Sequence, residues 1–150
     1  MKIAAVIGAN LPDSMKTSPD VERLFPDYRE VEKAYYRDTK IFPIMHLVAI
    51  RRRFYEAHPK AVASFYRALC RSKDTALRKM LNLATLRYML PWMSADLDEI
   101  DEVFGGDPWP YGVAANRPTL TALVTYLAEQ GLIAAPPRLE DVFVDVGERA

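Results

Sequence analysis

His46 interrupts an apolar run at residues 44–50 and is the side chain best suited to acid–base chemistry. Such a run predicts a strand covered on both faces, with Ile44, His46, Val48 and Ile50 on the same side. A desolvated imidazole takes its charge state from the partner it finds. We therefore predict that His46 donates or relays a proton. The alternative is a buried histidine satisfied by a structural hydrogen bond.

Three arginines, Arg51, Arg52 and Arg53, follow this predicted strand directly. Open α/β sheets bind ligands where strands end, and a guanidinium there can hold a carboxylate through two hydrogen bonds. We predict that Arg51 and Arg52 bind a carboxylate of a substrate. The alternative is a solvated basic turn.

The segment FGGDPWPYG at residues 104–112 combines glycines and prolines with an acid, an indole and a phenol. Trp109 and Tyr111 would offer ring faces and hydrogen bonds to an aromatic ligand. Asp107 would offer a carboxylate for acid–base catalysis. The alternative is that this segment closes the end of the core between two helices.

A second candidate loop near the start of the chain contains Gly8, Asn10 and Ser14. Small residues let backbone amides approach an anionic ligand closely. We therefore predict that Asn10 and Ser14 contribute to substrate binding.

Several classes of function have no support in the residues. Two histidines and Cys70 do not show zinc spacing, and no phosphate-binding loop, nucleophile elbow or dinucleotide fingerprint is present. The residues indicate no cofactor, although they leave a divalent metal open. With 20 basic and 20 acidic residues, the chain has no net field to attract nucleic acid or a membrane. The lone cysteine and the lack of a targeting segment predict a cytoplasmic protein.

The elements that must position these residues are two short strands and four to five helices. The strands are predicted at residues 3–7 and 44–50, and the helices begin near Asp27, Pro59, Ser94 and Asn116. Gly105 and Gly131 are predicted to end two of these helices, and Pro136 and Pro137 precede a short terminal one. The pattern predicts a helix-rich α/β fold. The two strands either pair with each other or, as we expect, belong to a sheet that needs further strands.

Five strings together resemble the 4,5-dihydroxyphthalate decarboxylase family. They are LFPDYREVEKAYY from Leu24, IFPIMHLVAIRR from Ile41, LRYMLPWM from Leu86, FGGDPWPYG from Phe104 and NRPTLTALVTYLAEQGLI from Asn116. The resemblance implies part of a two-lobed fold like that of type II periplasmic binding proteins. Residues 1–150 would form a single domain, the C-terminal part of such a protein. Residues 1–26 would give a strand and inter-lobe connection, and residues 27–150 a helix-rich lobe.

The resemblance also implies an activity, the removal of one carboxylate from 4,5-dihydroxyphthalate to give protocatechuate in a cleft between lobes. One alternative is a non-catalytic solute-binding-like protein for an aromatic or carboxylic acid. Another is a half that needs a partner chain carrying the N-terminal lobe. Exposed apolar surface in an isolated half would favour self-association.

Overall fold

The computed structural model describes residues 4–8, 10–82, 84 and 88–147. The described residues form helices only. These are α1 (Ser14–Thr17), α2 (Tyr28–Thr39), α3 (Arg52–Ala57), α4 (Pro59–Leu81), α5 (Met93–Phe104), α6 (Val113–Glu129) and α7 (Leu139–Val142). By its internal contacts the chain divides into two units, Met1–Ala34 and Tyr35–Ala150.

The predicted α/β fold is wrong, since the described residues contain no strand and no sheet. Residues 4–7 form a bend and irregular backbone exposed to solvent, and Ile3 lies outside the described residues. Residues 44–50 are also irregular and largely exposed. A strand is stable only when a neighbour accepts and donates its backbone hydrogen bonds. An apolar run without such a neighbour stays solvated, so the partial periplasmic-binding-protein-like sheet is not seen.

The helices predicted from apolar periodicity are confirmed as elements. α2 covers the helix expected from Asp27, and α4 begins with Pro59 at its first position. Proline suits that position because its fixed φ is already helical and its missing N–H would have no partner there. α7 confirms the short helix after Pro136 and Pro137.

The helix ends predicted from glycine agree with the structure, whereas the predicted cap at the start of α5 does not. Gly105 ends α5 with a φ of 71°, and Gly131 follows α6 with the same φ. After α6, the N–H of Leu132 donates to the carbonyl of Leu127, which closes a Schellman motif. α5 instead begins at Met93 without a side-chain cap, so the predicted Ser94 cap is wrong.

The buried core of the second unit is small. Its buried apolar side chains are Val62, Met93, Leu97, Val103, Leu120 and Leu139. Thr119 is buried beside Leu120, and its hydroxyl accepts a 3.1 Å hydrogen bond from the N–H of Phe42. This bond fixes the start of the irregular 40–51 segment against α6. None of the helices in the described part of the chain is both long and apolar enough to span a bilayer.

Candidate functional site

Lys73 organises the loop at residues 105–112, which joins α5 to α6. Its ammonium group lies 2.5 Å from Oδ2 of Asp107 and donates a 3.2 Å hydrogen bond to the carbonyl of Trp109. It also lies 4.9 Å from the centre of the Tyr111 ring. The Lys73 side chain is 13% exposed and that of Asp107 is 43% exposed, so water screens this ion pair from the Asp107 side. One cation from α4 therefore contacts three residues of the loop.

Aromatic rings fix the loop from a second side. The ring of Phe42 packs edge-on against Trp109 at 5.5 Å and against Phe104 at 5.3 Å. Tyr36 of α2 contacts Phe104 at 4.4 Å between ring centres. Edge-to-face pairs at these distances are favourable because the positive ring edge meets the negative ring face. The loop is thus tied to the 40–51 segment through Trp109, and the end of α5 is tied to α2 through Phe104.

Asn116 fixes the C-terminal end of the loop from within the first turn of α6. Its Nδ2 donates to the carbonyls of Pro110 at 2.7 Å and Gly112 at 2.8 Å. Gly112 has a φ of 101°, a conformation that a residue with a side chain rarely adopts. The sequence predicted Asn116 as a helix start, whereas the structure gives its side chain the role of a loop clamp.

Two predicted binding residues, Trp109 and Tyr111, both lie in this loop, and both side chains are partly exposed to solvent. Trp109 is 44% exposed and Tyr111 is 41% exposed. Asp107 lies with them, but both of its oxygens already accept hydrogen bonds, Oδ2 from Lys73 and Oδ1 from the N–H of Trp109 at 3.0 Å. The loop can therefore offer ring faces to a ligand, and its carboxylate anchors the loop. A part for Asp107 in proton transfer stays a prediction.

His46 does not occupy the buried strand predicted for it. It is exposed in the irregular 40–51 segment. Within the described residues no hydrogen bond, ion pair or ring contact joins its imidazole to the 105–112 loop. The apolar residues around it indicated burial, but they are exposed themselves, with Met45 62% and Leu47 64% accessible. Its proposed proton transfer stays a prediction.

An apolar groove of about 400 Å³ lies immediately beyond His46 in the chain. Its lining consists of Val48, Ala49, Ile50, Phe54, Ala61, Val62 and Phe65. Arg51 follows the lining residue Ile50, and its carbonyl accepts hydrogen bonds from the amides of Phe54 and Tyr55 at the start of α3. Arg51 and Arg52 are both exposed. The lining of the groove is apolar, and Arg51 and Arg52 follow its residue Ile50 directly in the chain.

The two remaining predicted residues, Asn10 and Ser14, lie in the first unit. Asn10 is exposed in a bend, and Ser14 is the first residue of the four-residue helix α1. The carbonyl of Ser14 accepts a 2.9 Å hydrogen bond from the N–H of Ser18. Their part in substrate binding stays a prediction.

Three features of this loop were not predicted from the sequence: the contacts of Lys73, the packing of Phe42 and the loop-clamping role of Asn116. A signal for Lys73 was present in its position. Leu69 lies four residues before it, and Leu77 and Met80 lie four and seven residues after it. These spacings put Lys73 on the apolar face of α4, where a charge needs a partner. A lysine at such a position predicts a buried or half-buried ion pair.

Comparison with known proteins relates the chain to a decarboxylase, although no family model matches it. The relative is 4,5-dihydroxyphthalate decarboxylase of Comamonas testosteroni, which is 31% identical over 116 residues. The match covers 77% of this chain and 35% of the relative. The chain thus spans about a third of the length of the relative. The family relationship that the sequence motifs indicated is confirmed.

Proposed function

We propose that the chain contributes the aromatic-acid site of an enzyme that removes a carboxylate from 4,5-dihydroxyphthalate or a close analogue. The observation that carries this proposal is the 31% identity over 116 residues to the protein named 4,5-dihydroxyphthalate decarboxylase. Two separate features support an aromatic, anionic ligand. One is the partly exposed rings of Trp109 and Tyr111, and the other is the apolar groove whose lining residue Ile50 precedes Arg51 in the chain. An apolar wall also disfavours a carboxylate ion, which promotes its loss as neutral carbon dioxide.

The proposed chemistry begins with protonation of the ring carbon that bears the leaving carboxylate. His46 supplies this proton directly or through water, since its exposed imidazole lies two residues before the groove residue Val48. The bond between that carbon and the carboxylate then breaks, carbon dioxide leaves, and the electron pair restores the aromatic ring. Arg51 or Arg52 holds the retained carboxylate through two hydrogen bonds.

The direct test is turnover of 4,5-dihydroxyphthalate by the purified chain, measured as released carbon dioxide and protocatechuate. The assay is run with the chain alone and with a polypeptide that covers the rest of the Comamonas relative. Turnover in either arm that falls at least about tenfold in His46→Gln supports the proposal. Silence in both arms would contradict it, and turnover that His46→Gln leaves unchanged would remove the proton role of His46.

A non-catalytic aromatic-acid binder is the second candidate. It is favoured by the state of Asp107, whose two oxygens accept hydrogen bonds from Lys73 and Trp109. A carboxylate with both oxygens bonded in this way stabilises the conformation of a binding loop. To transfer a proton, it would first have to break one of these hydrogen bonds. Saturable binding of 4,5-dihydroxyphthalate without any carbon dioxide release would favour this candidate over the enzyme.

A further inference from the structure

The formal charge of the chain is zero, but two helices of the second unit carry charge of opposite sign. The basic residues of α4 are Lys60, Arg67, Arg71, Lys73, Arg78 and Lys79, with Asp74 as its acid. The acids of α5 are Asp96, Asp98, Glu99, Asp101 and Glu102, and this helix has no Lys or Arg. The balance of charge over the whole chain therefore conceals a strongly basic helix and a strongly acidic one.

α4 presents an open groove of about 440 Å³ to solvent. The groove is lined by Ala68, Arg71, Ser72, Thr75, Ala76 and Lys79. Most of these residues recur every three or four positions, so they share one side of the helix. The side chains of Arg71 and Lys79 are exposed, and neither has a hydrogen bond or ion pair within the described residues. Small residues beside unpaired cations make a surface that another helix can approach closely.

α5 has the length and charge that this groove requires. The groove residues span 12 positions of α4, from Ala68 to Lys79, and α5 also has 12 residues, so each extends along about 18 Å. Asp98 and Asp101 lie three positions apart on an exposed part of α5, and neither carboxylate forms an ion pair in the described chain. A carboxylate within hydrogen-bonding reach of a guanidinium or ammonium group makes a charge-assisted bond.

We infer that the α4 groove binds α5 of a second copy of this chain. Charge complementarity selects this occupant, because each copy carries both the cationic groove and an acidic helix that matches it. A two-fold axis would form the contact twice, with α4 of each copy against α5 of its partner. Each exposed pair is weak alone, so the association depends on several pairs and weakens with salt.

Charge reversal tests this assignment by sedimentation velocity of the 150-residue chain over a range of concentrations. The variant Arg71→Glu/Lys79→Glu and the variant Asp98→Lys/Asp101→Lys are each expected to weaken self-association at least about tenfold. Mixing the two variants should restore it, because each then meets an opposite charge in both contacts. Restoration also shows that both variants are folded. The control Arg53→Glu/Lys60→Glu makes the same change in charge outside the groove and should associate like the wild type.

Three results would overturn the inference. The first is a wild-type chain that stays monomeric at every concentration reached. The second is self-association that neither reversal weakens, or that persists at about 1 M NaCl, where the Debye length is about 3 Å. The third is weakening by the α4 reversal alone, without restoration in the mixture, which would give the groove a different anionic partner.

Discussion

Lys73 shows how one charged side chain on the apolar face of a helix can determine the geometry of a distant loop. It is half-buried on α4, yet it contacts Asp107, Trp109 and Tyr111 in the segment after α5. Its cost of desolvation is offset by a carboxylate, a carbonyl and an aromatic face. The positions of Trp109 and Tyr111 therefore depend on a lysine of α4.

Replacing Lys73 with Met keeps the length of the side chain and removes its charge. We expect the free energy of unfolding to fall by about 1–2 kcal/mol, because Asp107 and the Trp109 carbonyl lose a charged donor. Urea denaturation measures the change. The matched control Lys60→Met lies on the same helix at an exposed position and should cost less than about 0.5 kcal/mol. Equal losses in the two variants would show that the ion pair adds no stability.

Trp109 is the residue whose removal tests the aromatic part of the site. We expect Trp109→Ala to weaken binding of 4,5-dihydroxyphthalate about fivefold, since a lost ring contact is worth about 1 kcal/mol. Calorimetric titration gives the dissociation constants. The other tryptophan, Trp92, is 77% exposed and outside the loop, so Trp92→Ala serves as the control. An unchanged affinity in Trp109→Ala would exclude this ring from the site.

At the scale of elements, periodic helices and glycine-ended helices could be predicted from the sequence, and the strands could not. The apolar stripe of α4 and the positive φ of Gly105 and Gly131 are local properties, so sequence spacing predicts them. A strand depends on a partner that is distant in the chain. Residues 44–50 have a strand-like composition, but no described segment pairs with them. His46 lost its predicted burial for the same reason.

For the candidate site, the residues within the loop could be predicted from the sequence, and the residues that hold the loop in place could not. Trp109 and Tyr111 were identified because their loop combines turn residues with aromatic rings, and the structure brings them together with Asp107. The partners that hold this loop come from other parts of the chain, Phe42 before α3, Lys73 in α4 and Asn116 in α6. Tertiary packing brings these three residues to the loop, and sequence spacing does not predict such packing. The position of Lys73 on an apolar helix face does predict that its charge has an ion-pair partner.

Acid should loosen the contact between α6 and α7. Arg117 donates a 2.8 Å hydrogen bond to Glu140, and this bond lowers the pKa of that carboxyl below its ordinary 4.5. A lowered folded-state pKa means that the stabilisation is complete above about pH 4.5 and is lost as the pH falls through the lowered value. The hydrogen bonds from Arg138 lower the pKa of Asp141 in the same way.

Carbon-detected NMR titration of the Glu140 carboxyl measures this shift. In the variant Arg117→Gln, the pKa of Glu140 should move back toward 4.5, because the carboxylate loses the hydrogen bond that stabilises its ionised form. A Glu140 carboxyl that titrates at the same pH in both proteins would show that Arg117 does not stabilise its ionised form.

At the scale of the whole molecule, the chain matches about a third of the length of a named decarboxylase. Its second unit buries few apolar side chains and leaves large ones such as Phe54, Phe65 and Trp109 partly open. Two of these line the apolar groove, and the third belongs to the 105–112 loop. Surfaces of this kind mark binding sites for ligands or partner proteins. The exposed apolar residues are therefore consistent with the proposed ligand site, whereas the proposed self-association rests on the charged residues of α4 and α5.

The measurement that tests the proposed ligand site most directly is an NMR titration of the isotope-labelled chain with 4,5-dihydroxyphthalate. We predict saturable shifts at the groove residues Val48 and Ile50, at Arg51, and at the indole of Trp109. Phthalate without the ring hydroxyls serves as a comparison for the part that the carboxylates alone contribute. Shifts that are absent, that do not saturate, or that are confined to α6 and α7 would contradict the account.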